Sequence, residues 1–427
     1  MDEMSTIEMQ IAARLRQHPG AALTNLHSFI TESLLKTSFL QLKKSGAVGV
    51  DGQSWQSYNE KLEENLKELH KNFKSGTYRA PHIRRTYIPK GGGKLRPLGI
   101  PTIEDKVLQK GVSQVLTAVY EKDFYDFSYG FRAGRSQHQA LDVLFKEVSF
   151  KRKRYIIDAD IEDYFGSINH SKLRELLDRR IKDGVIRKQI DKWLKAGILE
   201  EGQIKYPTEG TPQGGVISPL LSNVYLHYVL DEWFTEQIQP LLKGGSSIIR
   251  YADDFLLCFD DKADALRVME VLPKRMGKYD LRLHPEKTRL IELEGEVGGG
   301  KRTFDFLGFT HYMSKSRKGN PILKRKTSRK KFSKSLQALG EWMKQSRNKP
   351  IKELIATLNQ KIRGHYNYYG ITFNSRKICE YREQVKRLLQ RWLNRRGGRR
   401  YWNWKDVSNI TERWIPLIKP KIYHSYL

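Results

Sequence analysis

The stretch SIIRYADDFLLCF, residues 247–259, sets two runs of β-favouring apolar residues on either side of a short polar turn. That pattern reads as a buried hairpin with Tyr251, Asp253 and Asp254 at its tip. A hairpin cannot bury its faces alone, so the surrounding chain must supply more sheet and helices to cover it. RYIIDADI (154–161) reads as a second short β-run, and SPLLSNVYLHYVLDEW (218–233) as a helix with Ser218 as cap and Pro219 in its first turn. Strands and helices alternate through the first 300 residues, which suggests an α+β fold. There is no internal repeat at solenoid spacing and no low-complexity tract.

Charge limits the partners. The 427 residues carry 77 Lys and Arg against 48 Asp and Glu, a net of +29. Residues 301–427 alone hold 32 against 7, a net of +25, so a polyanion is expected to meet mainly the last third. Nucleic acid or an anionic membrane surface would fit. No apolar run of about 18 residues could span a bilayer. The start MDEMSTIEMQ is too acidic for a secretory or organellar leader, which makes the prokaryotic cytoplasm the expected compartment.

Two segments of that basic third interleave cations with aromatic rings, ILKRKTSRKKFSK (322–334) and RWLNRRGGRRYWNW (391–404). They nominate Lys324, Arg325, Lys326, Arg329, Lys330, Lys331, Arg395 and Arg396 as RNA contacts; the alternative is a solvated charged face. Helical spacing runs through Phe332, Leu336, Leu339 and Met343, then Ile351 to Ile362, then Ile378, Val385, Leu388 and Trp392, with Pro350 as first residue of the second helix. Three amphipathic helices imply a small bundle, linked to the preceding region by the polar stretch MSKSRKGNP (313–321). Cys258 and Cys379 are expected to be small core residues, and His138, His170, His284 and His365 lack any zinc-binding spacing.

Asp160 ends one expected strand, and Asp253 and Asp254 lie at the tip of another pair, so one sheet could gather all three. Uncompensated, the carboxylates would repel and one would take up a proton. Mg²⁺ removes that conflict, since it is usually held by one or two carboxylates together with substrate phosphates. Two such ions about 4 Å apart suit in-line phosphoryl displacement. Adjacent aspartates in a turn are common for backbone reasons alone, so the pair by itself is weak.

An ordered series of blocks strengthens it. GVDG (49–52), RRTYIPKGGGKLRPLGIPTIEDKVLQ (84–109), DFSYGFRAGRSQHQAL (126–141), DADIEDYFGSINH (158–170), GTPQGGVISPLLSN (210–223), YADD (251–254), LHPEKTRLI (283–291), FDFLGF (304–309) and RGHYNYYG (363–370) resemble the group II intron reverse transcriptase/maturase family over roughly residues 48–405. The resemblance implies a right-hand polymerase: an N-terminal helical extension over 1–47, fingers and palm over 48–312, and a helical thumb, or domain X, over 320–405. A short basic tail over 406–427 is too small for the endonuclease domain that many relatives carry.

Carried over position by position, the resemblance makes Asp160, Asp253 and Asp254 the catalytic carboxylates, with the Ile161 carbonyl as a further metal ligand to two Mg²⁺ ions. Asp158 falls outside the motif. Phe165 takes the place of the aromatic under the sugar, where it would exclude a 2′-hydroxyl and favour deoxynucleotides. Gln213 would touch the incoming nucleotide, with Gly214 and Gly215 admitting nucleic-acid backbone. Lys90 and Arg96 would grip the triphosphate, and Lys287 resembles a lysine near the palm, a surface salt bridge being the alternative. Arg363 would contact RNA; helical spacing sets Tyr366 and Tyr369 three apart, to pack the thumb core rather than stack on RNA, and leaves Tyr368 on another face as the better RNA contact. Asp163 departs from the usual pattern and adds charge near the proposed metals.

The partners so implied are the intron RNA, an RNA template with a DNA primer, target DNA and deoxynucleoside triphosphates, without a membrane. The expected activity is RNA-directed DNA synthesis together with help in splicing. A domesticated polymerase of host defence or repair, and a non-catalytic splicing cofactor, are the alternatives.

Overall fold

The computed structural model describes residues 3–426 except 92–93, 201, 207–208, 212–213, 294–301 and 398–400, and omits the side chains of residues 3, 90, 91 and 94. It divides into two compact units. The first comprises Met1–Ser136, Ile157–Leu257 and Lys262–Leu290; the second comprises Gln137–Ile156, Cys258–Asp261 and Ile291–Leu427.

In the first unit β1 (Ile83–Gly91) and β2 (Lys94–Ile100) form an antiparallel hairpin with Ile88 opposite Arg96. After β3 (Tyr155–Ala159) come the short strands β4 (Ile198–Glu200) and β5 (Gln203–Lys205), which extend that hairpin into a sheet of order β2-β1-β4-β5. The 247–259 stretch folds as expected, into β6 (Ser246–Tyr251) and β7 (Asp254–Phe259). With β8 (Arg289–Glu292) they make a sheet of order β6-β7-β3-β8. Ile156, Ile157, Ile249, Leu256 and Leu257 are fully buried, as strands packed on both faces should be.

The helix expected from Ser218 begins there, with Ile217 as cap and Pro219 in the first turn. Past Leu226 it widens into π-helical turns over His227–Asp231 and Trp233–Ile238. Asp231 in those turns is wholly buried.

In the second unit the region read as a linker is a β-hairpin. Residues 313–321 span the end of β10 (Phe309–Lys315), its turn and the start of β11 (Pro321–Thr327), and β9 (Thr303–Phe306) completes a sheet of order β11-β10-β9. Gly and Lys in that stretch mark a turn rather than a boundary, Gly319 supplying its left-handed φ of +81°. The three helices form where the periodicity placed them, Arg329–Ser346, Ile351–Tyr369 and Ser375–Leu393, with Pro350 capping the second. Leu339, Met343, Leu354, Ile355, Leu358, Ile362, Tyr366, Ile378 and Val385 make their common core. Cys258 is buried, whereas Cys379 lies exposed on the third helix, contrary to expectation.

Residues 421–426 run back across this unit. Tyr423 and His424 donate backbone N–H groups to the Gly370 carbonyl, at 2.7 and 3.0 Å, and the Tyr426 hydroxyl donates to the His138 carbonyl at 2.6 Å.

Buried histidines give the stability a pH dependence. Burial holds His227 down at about 3 and His365 at about 4, against the ordinary 6.5. The unfolded chain therefore takes up protons first as pH falls. Their contribution is complete above about pH 6.5 and is lost progressively toward pH 3–4. At pH 5 the expected loss is roughly 2 kcal/mol per histidine. Urea unfolding at pH 7 and pH 5 should show a lower midpoint at pH 5 for the parent and a smaller shift for His227→Gln; equal shifts contradict the assignment.

Candidate active site

Two acidic groups meet at one edge of the β6-β7-β3-β8 sheet. The Arg154 N–H donates to the Phe259 carbonyl at 2.8 Å, which sets the start of β3 beside the end of β7. The pair is therefore antiparallel, and Asp160, just past β3, reaches the edge where the β6–β7 turn carries Asp253. Burial first, and then the charge of Asp160, push the Asp253 carboxyl above its ordinary range, while Arg96 and Arg250 act in the opposite sense. Asp254, by contrast, opens β7 and is exposed. Among the described residues no three carboxylate, imidazole or thiol groups converge on a point.

The segment 282–288 braces Asp160. Its carbonyl accepts from the His284 N–H at 2.7 Å, and the Glu162 N–H donates to the Arg282 carbonyl at 2.8 Å, an antiparallel bridge between Ile161 and Leu283. In this pattern the bridged residue's own N–H and C=O face away from the partner. The Ile161 carbonyl thus points to the side of β3 on which β7 runs. Beyond His284 the chain turns, with the Lys287 and Thr288 N–H groups on the His284 carbonyl. That turn brings Lys287 Nζ to 2.7 Å from Asp160 Oδ2. Asp158 faces Arg289 at 3.7 Å.

The turn itself is clamped from inside. Ala252 sits at φ +58°, a region that a residue with a Cβ occupies only when held there. Arg250, wholly buried, donates from Nη1 to the Ala252 carbonyl at 3.1 Å and to Asn223 Oδ1 at 2.9 Å. Its Nε and Nη2 take both oxygens of the buried Asp231, at 2.8 and 2.5 Å. Asn223 in turn donates to the Gly130 carbonyl at 2.7 Å. A side chain at Gly130 would overlap the backbone nitrogen of Ala252. Residues 127–129 meet Arg250 in a single parallel bridge, through the Tyr129 N–H to the Arg250 carbonyl and the Arg250 N–H to the Phe127 carbonyl.

None of Arg250, Asp231, Asn223 or Gly130 stood out as functional in the sequence. The signal was present: an arginine inside the apolar run SIIRY must bury its charge against a carboxylate. The acid came from a helix 19 residues earlier, which only the fold brings into contact.

The other expected positions vary. Phe165 is half-buried, its ring edge-on to Tyr164, and its carbonyl accepts from the Thr211 N–H at 2.7 Å. With the Gly210 N–H on the Ile168 carbonyl at 2.8 Å, this ties the start of GTPQGG to the turn after β3. Gln213 and the Lys90 side chain lie outside the described residues. Arg96 is exposed on β2, and its charge acts on Asp253. Gly214, at φ +114°, approaches the Gly99 carbonyl of β2 too closely to allow a side chain, so the protein's own packing already requires glycine there.

In the second unit one RNA candidate is overturned. Arg325 is wholly buried: β11 alternates, placing Leu323, Arg325 and Thr327 inward and leaving Lys326 exposed. Its Nη1 donates to the Leu141 carbonyl at 3.0 Å and its guanidinium lies 4.8 Å from the Tyr426 ring centre. Burial lowers it to about 10. Tyr368 is also committed internally, donating to the Leu307 carbonyl at 2.8 Å and stacking on Phe309. Lys324 is half-buried over the Phe373 ring, and Arg396 is half-buried with Nη2 on the Lys349 carbonyl. Lys326, Arg329, Lys330, Lys331, Arg363 and Arg395 are exposed.

Known proteins resemble this chain in sequence. A model of the family described as reverse transcriptase (RNA-dependent DNA polymerase) matches residues 88–311, and one described as group II intron, maturase-specific domain matches residues 332–408. Protein YkfC of Escherichia coli (strain K12) is 32% identical over 352 residues, covering 74% of this chain and 90% of that protein. Group II intron-encoded protein LtrA of Lactococcus lactis subsp. cremoris is 45% identical over 166 residues, 39% of this chain but 27% of LtrA. An uncharacterized 91 kDa protein in the cob intron of Schizosaccharomyces pombe is 43% identical over 174 residues, 41% of this chain and 20% of that protein. The mixed helix and sheet of the chain agree with the right-hand polymerase fold that the first match implies. With the polymerase family covering more than half of its length and the maturase-specific domain following, the chain belongs to the group II intron reverse transcriptases, RNA-directed DNA polymerases of the maturase type.

Proposed function

We propose that the chain copies its intron RNA into DNA at the Asp160–Asp253 edge, and that its second unit holds the same RNA during splicing. The observation that carries the reading is the clamped β6–β7 turn, which fixes Asp253 beside Asp160 although burial and like charge both oppose it. A buried guanidinium pair spent on one turn suits a group that must be positioned.

The donors at this edge fit Mg²⁺. All are oxygens, and two carboxylates with one carbonyl leave the remaining positions to water and substrate phosphates, as that ion prefers. Asp160, Asp253 and the Ile161 carbonyl would hold it, with Asp254 nearby in sequence as an outer carboxylate. When bound, Mg²⁺ lowers the pKa of an attacking hydroxyl and stabilises charge on the phosphoryl oxygens.

The remaining roles fall to the chain. Arg96 and Lys90 orient the triphosphate by charge, and Phe165 and Gln213 shape the site around sugar and base. Lys287 neutralises part of the charge of Asp160 across their ion pair. Thumb, palm and fingers correspond to the three-helix bundle, the β6-β7-β3-β8 sheet and the β1–β2 hairpin. Target DNA is a further partner of the same site.

Primer extension on an RNA template with Mg²⁺ and deoxynucleotides tests the reading. Synthesis that stops with a chelator and resumes on adding Mg²⁺ is expected; synthesis that persists in the chelator overturns the metal assignment.

Exposed cations at the start of the first bundle helix would supply phosphate contacts. Changing Arg329, Lys330 and Lys331 together to glutamine should reduce the slope of log K against log salt for RNA binding by about 2–3, at roughly 0.7–0.9 for each phosphate no longer neutralised. Arg325→Met should leave that slope unchanged. An equal effect of the two variants contradicts the division between surface and core.

A further inference from the structure

Two buried polar side chains of the first unit are linked end to end with the backbone that follows GTPQGG. Asp105 and Gln109 lie one turn apart on the helix Ile103–Tyr120, with only 1% and 2% of their surfaces exposed. A carboxylate and an amide so deeply buried are costly unless their polar atoms find partners.

Asp105 finds three donors. Its Oδ1 accepts from Trp193 Nε1 at 2.6 Å and from the Tyr78 hydroxyl at 3.2 Å, and its Oδ2 accepts from Gln109 Nε2 at 2.8 Å. Burial pushes the carboxyl up to about 6 while these bonds hold it down, so above about pH 7 it is ionised and can only accept. That fixes the amide of Gln109. With its NH₂ group turned to the carboxylate, its Oε1 faces the other way, where it accepts from the Val216 N–H at 2.8 Å and the Ile217 N–H at 3.3 Å.

Gln109 thus holds the far end of one segment. Its near end is tied to the turn after β3 by the Gly210 and Thr211 N–H groups, on the Ile168 and Phe165 carbonyls. Between the two ends Gly214 rests on the Gly99 carbonyl of β2 with no room for a side chain. Just past Ile217 the helix Ser218–Leu226 starts, and its Asn223 bonds both Arg250 and Gly130 in the clamp beneath Asp253.

We propose that Asp105 and Gln109 are positioning residues for the incoming deoxynucleotide, the carboxylate setting the amide and the amide setting the backbone that follows GTPQGG. Each member of this chain of hydrogen bonds has one allowed role: the carboxylate accepts, the amide relays, and the two N–H groups donate. An apolar pair of the same size would fill the helix but leave both N–H groups without an acceptor. The role rests on the reading that Gln213, in the same segment, meets the nucleotide.

Deoxynucleotide incorporation by the full-length protein on an RNA template tests it, with KM and kcat read separately. Gln109→Met keeps the length of the side chain and removes the acceptor; KM should rise about tenfold with kcat within about threefold. Asp105→Asn should do the same, because an amide at 105 turns a donor toward Gln109 Nε2 and forces Gln109 to present its own NH₂ to Val216 and Ile217. Asp105→Asn combined with Gln109→Glu restores the order of donors and acceptors with the charge moved one residue along, and KM should return to within about twofold of the parent. A fold merely weakened loses active enzyme, which lowers kcat, leaves KM alone and is not mended by a second buried change. KM at the parental value in Gln109→Met, or a double variant no better than Asp105→Asn, overturns the proposal. Gln213→Ala separates it from the contact on which it rests: a parental KM there overturns that contact, whereas a raised KM beside a parental value in Gln109→Met overturns the brace alone.

Discussion

Asparagine in place of Asp253 is expected to slow primer extension about a thousandfold while RNA affinity stays within about twofold. The substitution keeps the side chain's size and its place in the turn and removes only the charge. What disappears is the carboxylate that would hold Mg²⁺, whose stabilisation of charge is worth several kcal/mol, with each 1.4 kcal/mol a factor of ten. RNA affinity should stay because the cations that supply it lie in another unit, on the basic last third of the chain. Single-turnover extension and filter binding on the same preparation give both numbers. Extension within tenfold of the parent would remove Asp253 from the chemistry, and a parallel loss of RNA binding would point to misfolding instead.

The second large effect is on stability. Asp231→Ala should cost about 3–5 kcal/mol, since it strands the Arg250 guanidinium in a dry interior. Both partners are wholly buried, and the pair is bidentate. Replacing both, as Asp231→Leu with Arg250→Met, should recover most of that cost, because well-packed apolar side chains can substitute for a buried ion pair. It should not recover polymerase activity: the Ala252 carbonyl loses its donor, and the strained turn beneath Asp253 is released. A urea midpoint and an extension rate for each variant separate these claims. Recovery of both together would show that the clamp serves stability alone.

Much of this was legible in the sequence, for reasons particular residues make plain. The hairpin at 247–259 and the three helices at 329–393 announce themselves through period two and period 3.6, and the structure keeps both. Asp160 and Asp253 could be nominated because ordered motifs surround them, and the fold brings their charges together. What failed was local reading where a partner is distant. The stretch at 313–321 has a linker's composition but is bounded by strands that pair with each other, and β pairing is invisible to a window of nine residues. Arg325 sits in a run of cations, and charge counting outweighed the alternation that turns it inward. Cys379 was placed in the core from the habit of its residue type, whereas its position on the helix decides its exposure.

The second unit gathers residues 137–156 together with residues 291–427, and its closing contacts join His138 and Leu141 to Tyr426 and Arg325. During synthesis the early helix, Gln137–Ser149, must therefore wait about 180 further residues for β11, roughly 10–35 s at about 5–20 residues per second. For that interval its apolar face lacks the cover that β11 gives it, and nascent chains of this protein should depend on a chaperone more than finished ones do. Slowing translation late in the message should lengthen their exposure and lower the yield of soluble enzyme.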